Sequence, residues 1–231
     1  MPTNNPSSKF AGSVLRPANR WKTLLFYQKA NTLFQLTVVF CERFLPKYGD
    51  RTVDQMIQAA RSGKQNIIEG SEDGKTSTEM ELKLLNVARS SIGELQEDFV
   101  DYIHKKHLPL WDKEHPRYKP MCSFTKKYNR VEDYEPYFTV WNDEEMANIG
   151  LTLCHQVDYM MNKYLQSLEK QFVTEGGIKE RMYAARTGYR KAQDEEHQKL
   201  ISENQTLRSE LEQAKAEIAR LKKQLEINLP K

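Results

Sequence analysis

The sequence predicts an all-α protein: an antiparallel four-helix bundle followed by a long C-terminal coiled-coil helix. Three observations lead there. Apolar residues recur at steps of three and four in four stretches between residues 21 and 172, glycine and proline gather between those stretches, and a seven-residue repeat occupies the C-terminal end. The expected organisation is an N-terminal arm over residues 1–18, a bundle over 19–173 carrying an irregular aromatic insert at 108–140, and a C-terminal helix over 174–231 with a zipper at 200–225.

The arm contains Pro2, Pro6 and Pro17 among Asn and Ser, and reads as flexible. From Trp21 to Leu45 the pattern Leu24, Tyr27, Leu33, Phe34, Val38, Cys41 and Phe44 suits a first long helix that Pro46 and Gly49 end. Thr52 with Gln55, and Thr78 with Glu81, offer capping boxes for the second and third helices, and the turn SEDGKTS between them gives Gly74 as the residue free to take a positive φ. The third helix is expected from Thr78 to His107 with Leu82, Leu85, Ala88, Ile92, Leu95, Phe99 and Ile103 inward. Residues 108–140 break that periodicity with four prolines yet hold Trp111, Tyr118, Phe124, Tyr128, Tyr134, Tyr137 and Phe138, too many apolar rings for a solvated linker, so the insert is expected to pack on the bundle. Asn142 with Glu145 caps a fourth helix reaching Phe172, and Gly176 with Gly177 reads as a hinge.

The second helix holds the densest group of candidate residues. Val53, Met56, Ile57, Ala60, Lys64, Ile67 and Ile68 share one face, and Ala59, Ala60 and Gly63 remove bulk at its middle, where a neighbouring helix can approach closely. These small positions are candidate oligomerisation residues. Asn66, Glu69 and Gly70 read as structural: Glu69 follows two isoleucines and is expected to be buried against Arg61 or Arg89, and Gly70 to end the helix as a left-handed cap.

Composition narrows the function classes. Mean hydropathy is −0.76 and 29% of residues are charged, with no apolar run near the roughly 18 residues a membrane span needs, so no membrane association is expected. The N-terminus lacks a signal-peptide core, and three cysteines, an odd number at wide spacing, suit a reducing cytoplasm. Residues 1–60 carry eight basic and three acidic side chains, a net +5, while residues 61–178 sum to −5. His104, His107, His115 and Cys122 are metal-type donors, but HKKHLPLW has neither a CxxC nor an HExxH signature and equally fits positive charge at a helix end; no metal or cofactor is expected. Adjacent Cys154 and His155 point about 100° apart on a helix and cannot form a nucleophile and base pair. With no phosphate-binding glycine loop either, the chain reads as a non-enzyme.

The segments ERFLPKYGDRTVDQMIQAARSGKQNIIEGS (Glu42–Ser71) and EMELKLLNVARSSIGELQEDF (Glu79–Phe99) resemble a small bacterial four-helix-bundle family first noticed in intervening sequences of 23S ribosomal RNA genes. That family includes the accessory variability determinant proteins of diversity-generating retroelements. The resemblance spans about Lys29 to Tyr102, is weaker over 141–172 and does not cover the C-terminal sixty or so residues, so the chain is similar to the version with an added suffix helix. It implies a homopentameric, non-enzymatic bundle that binds RNA or DNA through basic residues of its second and third helices, with a reverse transcriptase as a candidate protein partner. Carried onto this sequence, the nucleic-acid set is Arg61, Lys64, Lys75, Lys83 and Arg89, with Glu69, Glu72, Asp73, Glu79 and Glu81 interspersed.

In the zipper, Leu200, Leu207, Ala214 and Leu221 take d positions, and Asn204, Leu211, Ile218 and Leu225 take a positions. The lone Asn favours parallel two-stranded pairing, which five subunits cannot satisfy evenly. Upstream, the basic helix IKERMYAARTGYRK (Ile178–Lys191) is too sparsely charged, and too soon interrupted by Asp194, Glu195 and Glu196, for a groove-reading basic region. The sequence therefore reads as an oligomeric scaffold for nucleic acid or nucleoprotein; the alternative is a coiled-coil adaptor that binds a partner protein through its last helix.

Overall fold

Where apolar residues first repeat at helical spacing, the chain forms its first helix. The computed structural model describes residues 21–46 and 51–227, and among them the architecture is all-helical, without a strand. A 3-10 turn at Trp21–Thr23 leads into α1 (Leu25–Phe44), followed by α2 (Thr52–Asp73), α3 (Thr78–Lys105), α4 (Tyr118–Lys127), α5 (Asp143–Glu175) and α6 (Ile178–Ile227). The expected N-terminal arm, and Gly49 as the end of the first helix, lie outside the described residues. Two compact units divide at Glu180 and Arg181, so the body and the remainder of α6 are distinct.

In the body, α1 packs on α2 and α5, and α3 packs on the same two helices. One continuous core fills the space between them, with Leu33, Phe40, Met56, Ile67, Leu95, Phe99 and Met146 fully buried. The α2 and α3 contact depends on missing side chains: a Cβ on Gly63 would lie 2.7 Å from Ile92 Cδ1, and one on Gly70 would lie 3.2 Å from Leu84 Cβ. Gly70 is thus a contact residue and not the cap. The helix continues through it to Asp73, and Gly74 follows in ordinary right-handed conformation at φ −57, not at the expected positive value.

Three further local expectations are corrected. At the start of α2 the N-cap position is Arg51, with no side-chain cap, so Thr52 and Gln55 make no capping box. On α3 the cap is one residue upstream of Thr78: Ser77 is extended and its Oγ accepts from the Met80 N–H at 3.1 Å. That shift moves Glu81 past the capping position and turns it inward, where it is 1% exposed and accepts a hydrogen bond from the Tyr164 hydroxyl at 2.8 Å. Glu81 is therefore the buried carboxylate of this region; Glu69 is exposed and accepts from Gln65 at 3.0 Å, while Arg89 pairs with Asp158. Asn66 holds its own helix, donating to the Ser62 carbonyl at 2.9 Å.

The α5 capping box forms as expected, with Glu145 N–H on Asn142 Oδ1 at 2.9 Å and Asn142 N–H on Glu145 Oε2 at 3.0 Å. At the other end of α3, His107 adopts φ 53, and the Leu108 N–H reaches back to the Ile103 carbonyl at 3.0 Å while the His107 N–H bonds the His104 carbonyl at 3.1 Å. This is a Schellman closure with histidine at the left-handed position, so His107 serves the cap.

Residues 108–140 are more ordered than the irregular insert expected. They contain α4, whose Pro120 falls in the first turn, where a missing N–H costs nothing. Tyr134 is fully buried, and its hydroxyl donates to the Tyr128 carbonyl at 3.0 Å. The backbone of this connection is held from both sides. Asn148 on α5 accepts from the Trp111 N–H at 2.8 Å and donates to the Pro109 carbonyl at 3.1 Å. From α1, Lys29 Nζ donates to the Thr125 carbonyl and to the Tyr128 carbonyl at 3.2 Å, Thr32 donates to Asn129 at 3.0 Å, and Arg43 donates to the Phe138 carbonyl and to Trp141 at 2.9 Å.

Lys29 is 2% exposed, and burial lowers its pKa to about 8. Below pH 8 both folded and unfolded chains carry the proton, and the fold bears the full desolvation; between about 8 and the ordinary lysine value the folded chain releases it first, so this group's contribution to stability rises with pH. Lys29→Met strands the buried Thr125 carbonyl, while the Tyr128 carbonyl keeps its bond from the Tyr134 hydroxyl, and is expected to destabilise by about 2 kcal/mol at neutral pH. In urea denaturation the deficit should widen from pH 8 to 10, and a deficit that stays constant or narrows contradicts the assignment.

Two helical glycines give opposite predictions. A Cβ on Gly150 would lie 2.5 Å from Phe99 Cζ, inside the α3 and α5 contact, whereas one on exposed Gly93 meets nothing within 4 Å. Gly150→Ala should destabilise by roughly 1–3 kcal/mol through overpacking, and Gly93→Ala should stabilise by about 0.5–1 kcal/mol through helix propensity. Equal effects from the two in the same denaturation assay would contradict the packing described.

Candidate functional site

Fifty residues of α6 extend about 75 Å at the usual rise. Gly176, at φ 71, ends α5, and the Gly177 N–H bonds the Glu180 carboxylate at 2.9 Å as the new helix begins; the expected hinge is this two-residue break. Every described side chain from 193 to 223 is exposed. The seam is uncovered along its length: Leu200 is 52% exposed, Leu207 61%, Leu211 54%, Ile218 53% and Leu221 51%. Asn204 and Ala214 are exposed on the same seam, and Asn204 donates to the Leu200 carbonyl of its own helix, at 3.2 Å. Leu225 continues the helix. Intrahelical ion pairs such as Lys215 with Glu212 at 2.9 Å add weak local support.

On the body, Arg61, Lys64, Lys75, Lys83 and Arg89 are spread over α2, the following turn and α3. Arg61 is exposed. Lys64 lies half-buried with its ammonium 4.0 Å from the Phe34 ring centroid, and burial, then the charge of Arg61, lowers its pKa. Lys83 pairs with Glu79 at 2.8 Å, and Arg89 Nε with Asp158 at 2.7 Å. Ala59, Ala60 and Gly63 are buried within the chain, Gly63 against Ile92 of α3.

Sequence reasoning missed the acidic surface beside this set. A cleft of about 710 Å³ between α2 and α3 is lined by Asp54, Glu94, Glu97 and Asp98 with Arg51 at its edge. Burial, then Asp101 and Glu94, raises the Asp98 carboxyl above its ordinary value. Carboxylates at spacings of three and four on α3 were the available signal. A second cavity, about 260 Å³, is walled by Trp111, Met121, Phe124, Tyr137 and Trp141. Tyr137 stacks on Trp141 at 4.9 Å, and Arg117 stands over Trp111 while pairing with Glu145 at 2.7 Å.

Among the described residues no three His, Cys, Asp or Glu side chains gather as a metal site. His115 stacks on Trp111 with centroids 5.1 Å apart. Burial raises the Cys41 thiol to about 12 and the Cys154 thiol further, the reverse of an activated nucleophile. No helix among the described residues is long and apolar enough to cross a membrane.

The chain matches no protein-family model, no curated protein and no solved structure. The resemblance over Glu42–Ser71 and Glu79–Phe99 accordingly rests on those segments alone.

Cys122 is half-buried, whereas Cys41 and Cys154 are buried. Titration of the native protein with a charged thiol reagent should modify Cys122 alone in the fast phase and all three after denaturation; rapid native modification of Cys41 or Cys154 would contradict the core described.

Proposed function

We propose that this protein is an oligomeric scaffold: a rigid antiparallel four-helix bundle carrying, in α6, an arm that joins it to other helices. The observation that carries this reading is the exposed heptad seam from Leu200 to Leu221. Leaving a leucine side chain in water forgoes about 1.5–3 kcal/mol relative to burial, and a helix of this length gains its stability from packing an apolar face. A partner helix supplies that face. The three free cysteines and the charged surface support a cytoplasmic setting.

A nucleic-acid role for the bundle draws on the resemblance and on exposed Arg61 and half-buried Lys75. The ion pairs at Lys83 and Arg89, and the acidic cleft alongside, leave little charge for phosphate, so the scaffold reading rests on α6.

In extracts of the source cells the chain should migrate in an assembly well above its own 27.1 kDa. Leu207→Asp with Leu211→Asp, both on the exposed seam, should shift it to smaller species while the body's melting transition is unchanged. Identical migration of the two forms contradicts the reading.

A further inference from the structure

The charges beside the α6 seam identify what covers it. With Asn204, Leu211 and Ile218 at a and Leu200, Leu207, Ala214 and Leu221 at d, the g positions are Glu203, Glu210 and Glu217, and the e positions one heptad on are Arg208, Lys215 and Lys222. All six flanking side chains are exposed, the acidic ones on one shoulder of the seam and the basic ones on the other. In a parallel, in-register pair each g residue meets the e residue five positions later on the other helix. Glu203 of one copy then faces Arg208 of the other, Glu210 faces Lys215, and Glu217 faces Lys222, each contact occurring twice. Antiparallel pairing sets g against g and e against e, which places glutamate on glutamate and lysine on lysine or arginine throughout.

Asn204 adds a second, independent constraint. Its amide sits in an otherwise apolar seam, and only a parallel register brings it opposite its own twin, where the two amides satisfy each other; leucine at most d positions and a single polar a residue favour two strands over three or four. The existing contact of Lys215 with Glu212 is exposed on both sides and is exchanged for Glu210 of the other copy at little cost. Resting on the association reading above, we infer that the occupant of the α6 seam is a second copy of this chain, running parallel and in register over residues 200–225. Both copies then enter the pair from the same end, so assemblies built on α6 contain even numbers of chains.

The full chain tests this in two ways. With Cys122→Ser removing the accessible native thiol, Asn204→Cys should form an interchain disulfide under mild oxidation, because equivalent a positions of a parallel pair fall within bonding reach. In an antiparallel pair centred on the zipper the two copies of residue 204 stand about 25 Å apart, and no bond forms. With Asn204 retained, Glu210→Lys/Glu217→Lys and Lys215→Glu/Lys222→Glu should each weaken self-association about tenfold, and an equimolar mixture of the two should associate at least as tightly as wild type. An assembly that needs Leu207 and Leu211 but shows no position-204 disulfide, or is indifferent to both charge variants, overturns the parallel pair and leaves the association reading intact. A purified wild type that stays monomeric, while its assembly in extracts depends on Leu207 and Leu211, overturns self-pairing in favour of a different protein on the seam.

Discussion

A thirty-odd-residue connection rich in proline satisfies part of its backbone through α4 and its own turns, and the body of this protein depends on how the remaining polar groups are answered. Buried carbonyls and N–H groups without partners each cost about 1–3 kcal/mol. Three side chains on two helices supply most of the answers. Asn148 closes the entry at Pro109 and Trp111, and Lys29 and Arg43 take carbonyls at Thr125, Tyr128, Phe138 and Trp141. With its backbone held, the connection can press Tyr134, Phe138, Met121 and Trp111 onto the helices and extend the core instead of interrupting it. The buried ammonium of Lys29 is the least comfortable member: burial makes it release its proton at about pH 8, below the ordinary lysine value, so its contribution to the body's stability grows as pH rises.

Helix periods and the strong capping box at Asn142 were legible because they are local: α1, α3 and α5 follow from apolar spacing, and Asn142 with Glu145 needs nothing beyond four residues. The errors fall where tertiary contact decides. Gly70 reads as a helix end by its residue type, yet it is glycine because Leu84 of α3 occupies the space a side chain would need. Glu69 reads as buried because it follows two isoleucines, yet the helix phase turns it to solvent, and the buried carboxylate is Glu81, which one residue of cap register moves inward. Lys29 gave no signal as an anchor, since its acceptors lie almost a hundred residues away in a segment whose own shape could not be read.

For function, the relation between sequence and structure is reversed. The basic residues of α2 and α3 look like a shared surface when read as letters, whereas the fold pairs Lys83 with Glu79 and Arg89 with Asp158, and the cleft between the two helices is lined by carboxylates. Gly63, read as part of an assembly signature, is used inside the chain to bring α2 against α3, and Ala60 is buried within the chain as well. The zipper residues, by contrast, stand on a helix whose described side chains beyond residue 192 are all solvent-exposed. Its heptads and flanking charges were complete in the sequence, and the fold adds that the described seam side chains stand exposed.

The central claim is that α6 finds its missing packing in a second copy of this chain. Amide hydrogen exchange of the full chain, followed peptide by peptide over residues 200–223 across a hundredfold range of protein concentration, tests it directly. Protection in that segment should rise with concentration and fall at high salt, while the body's protection stays constant. Exchange over 200–223 that is fast and unchanged at every concentration would contradict it.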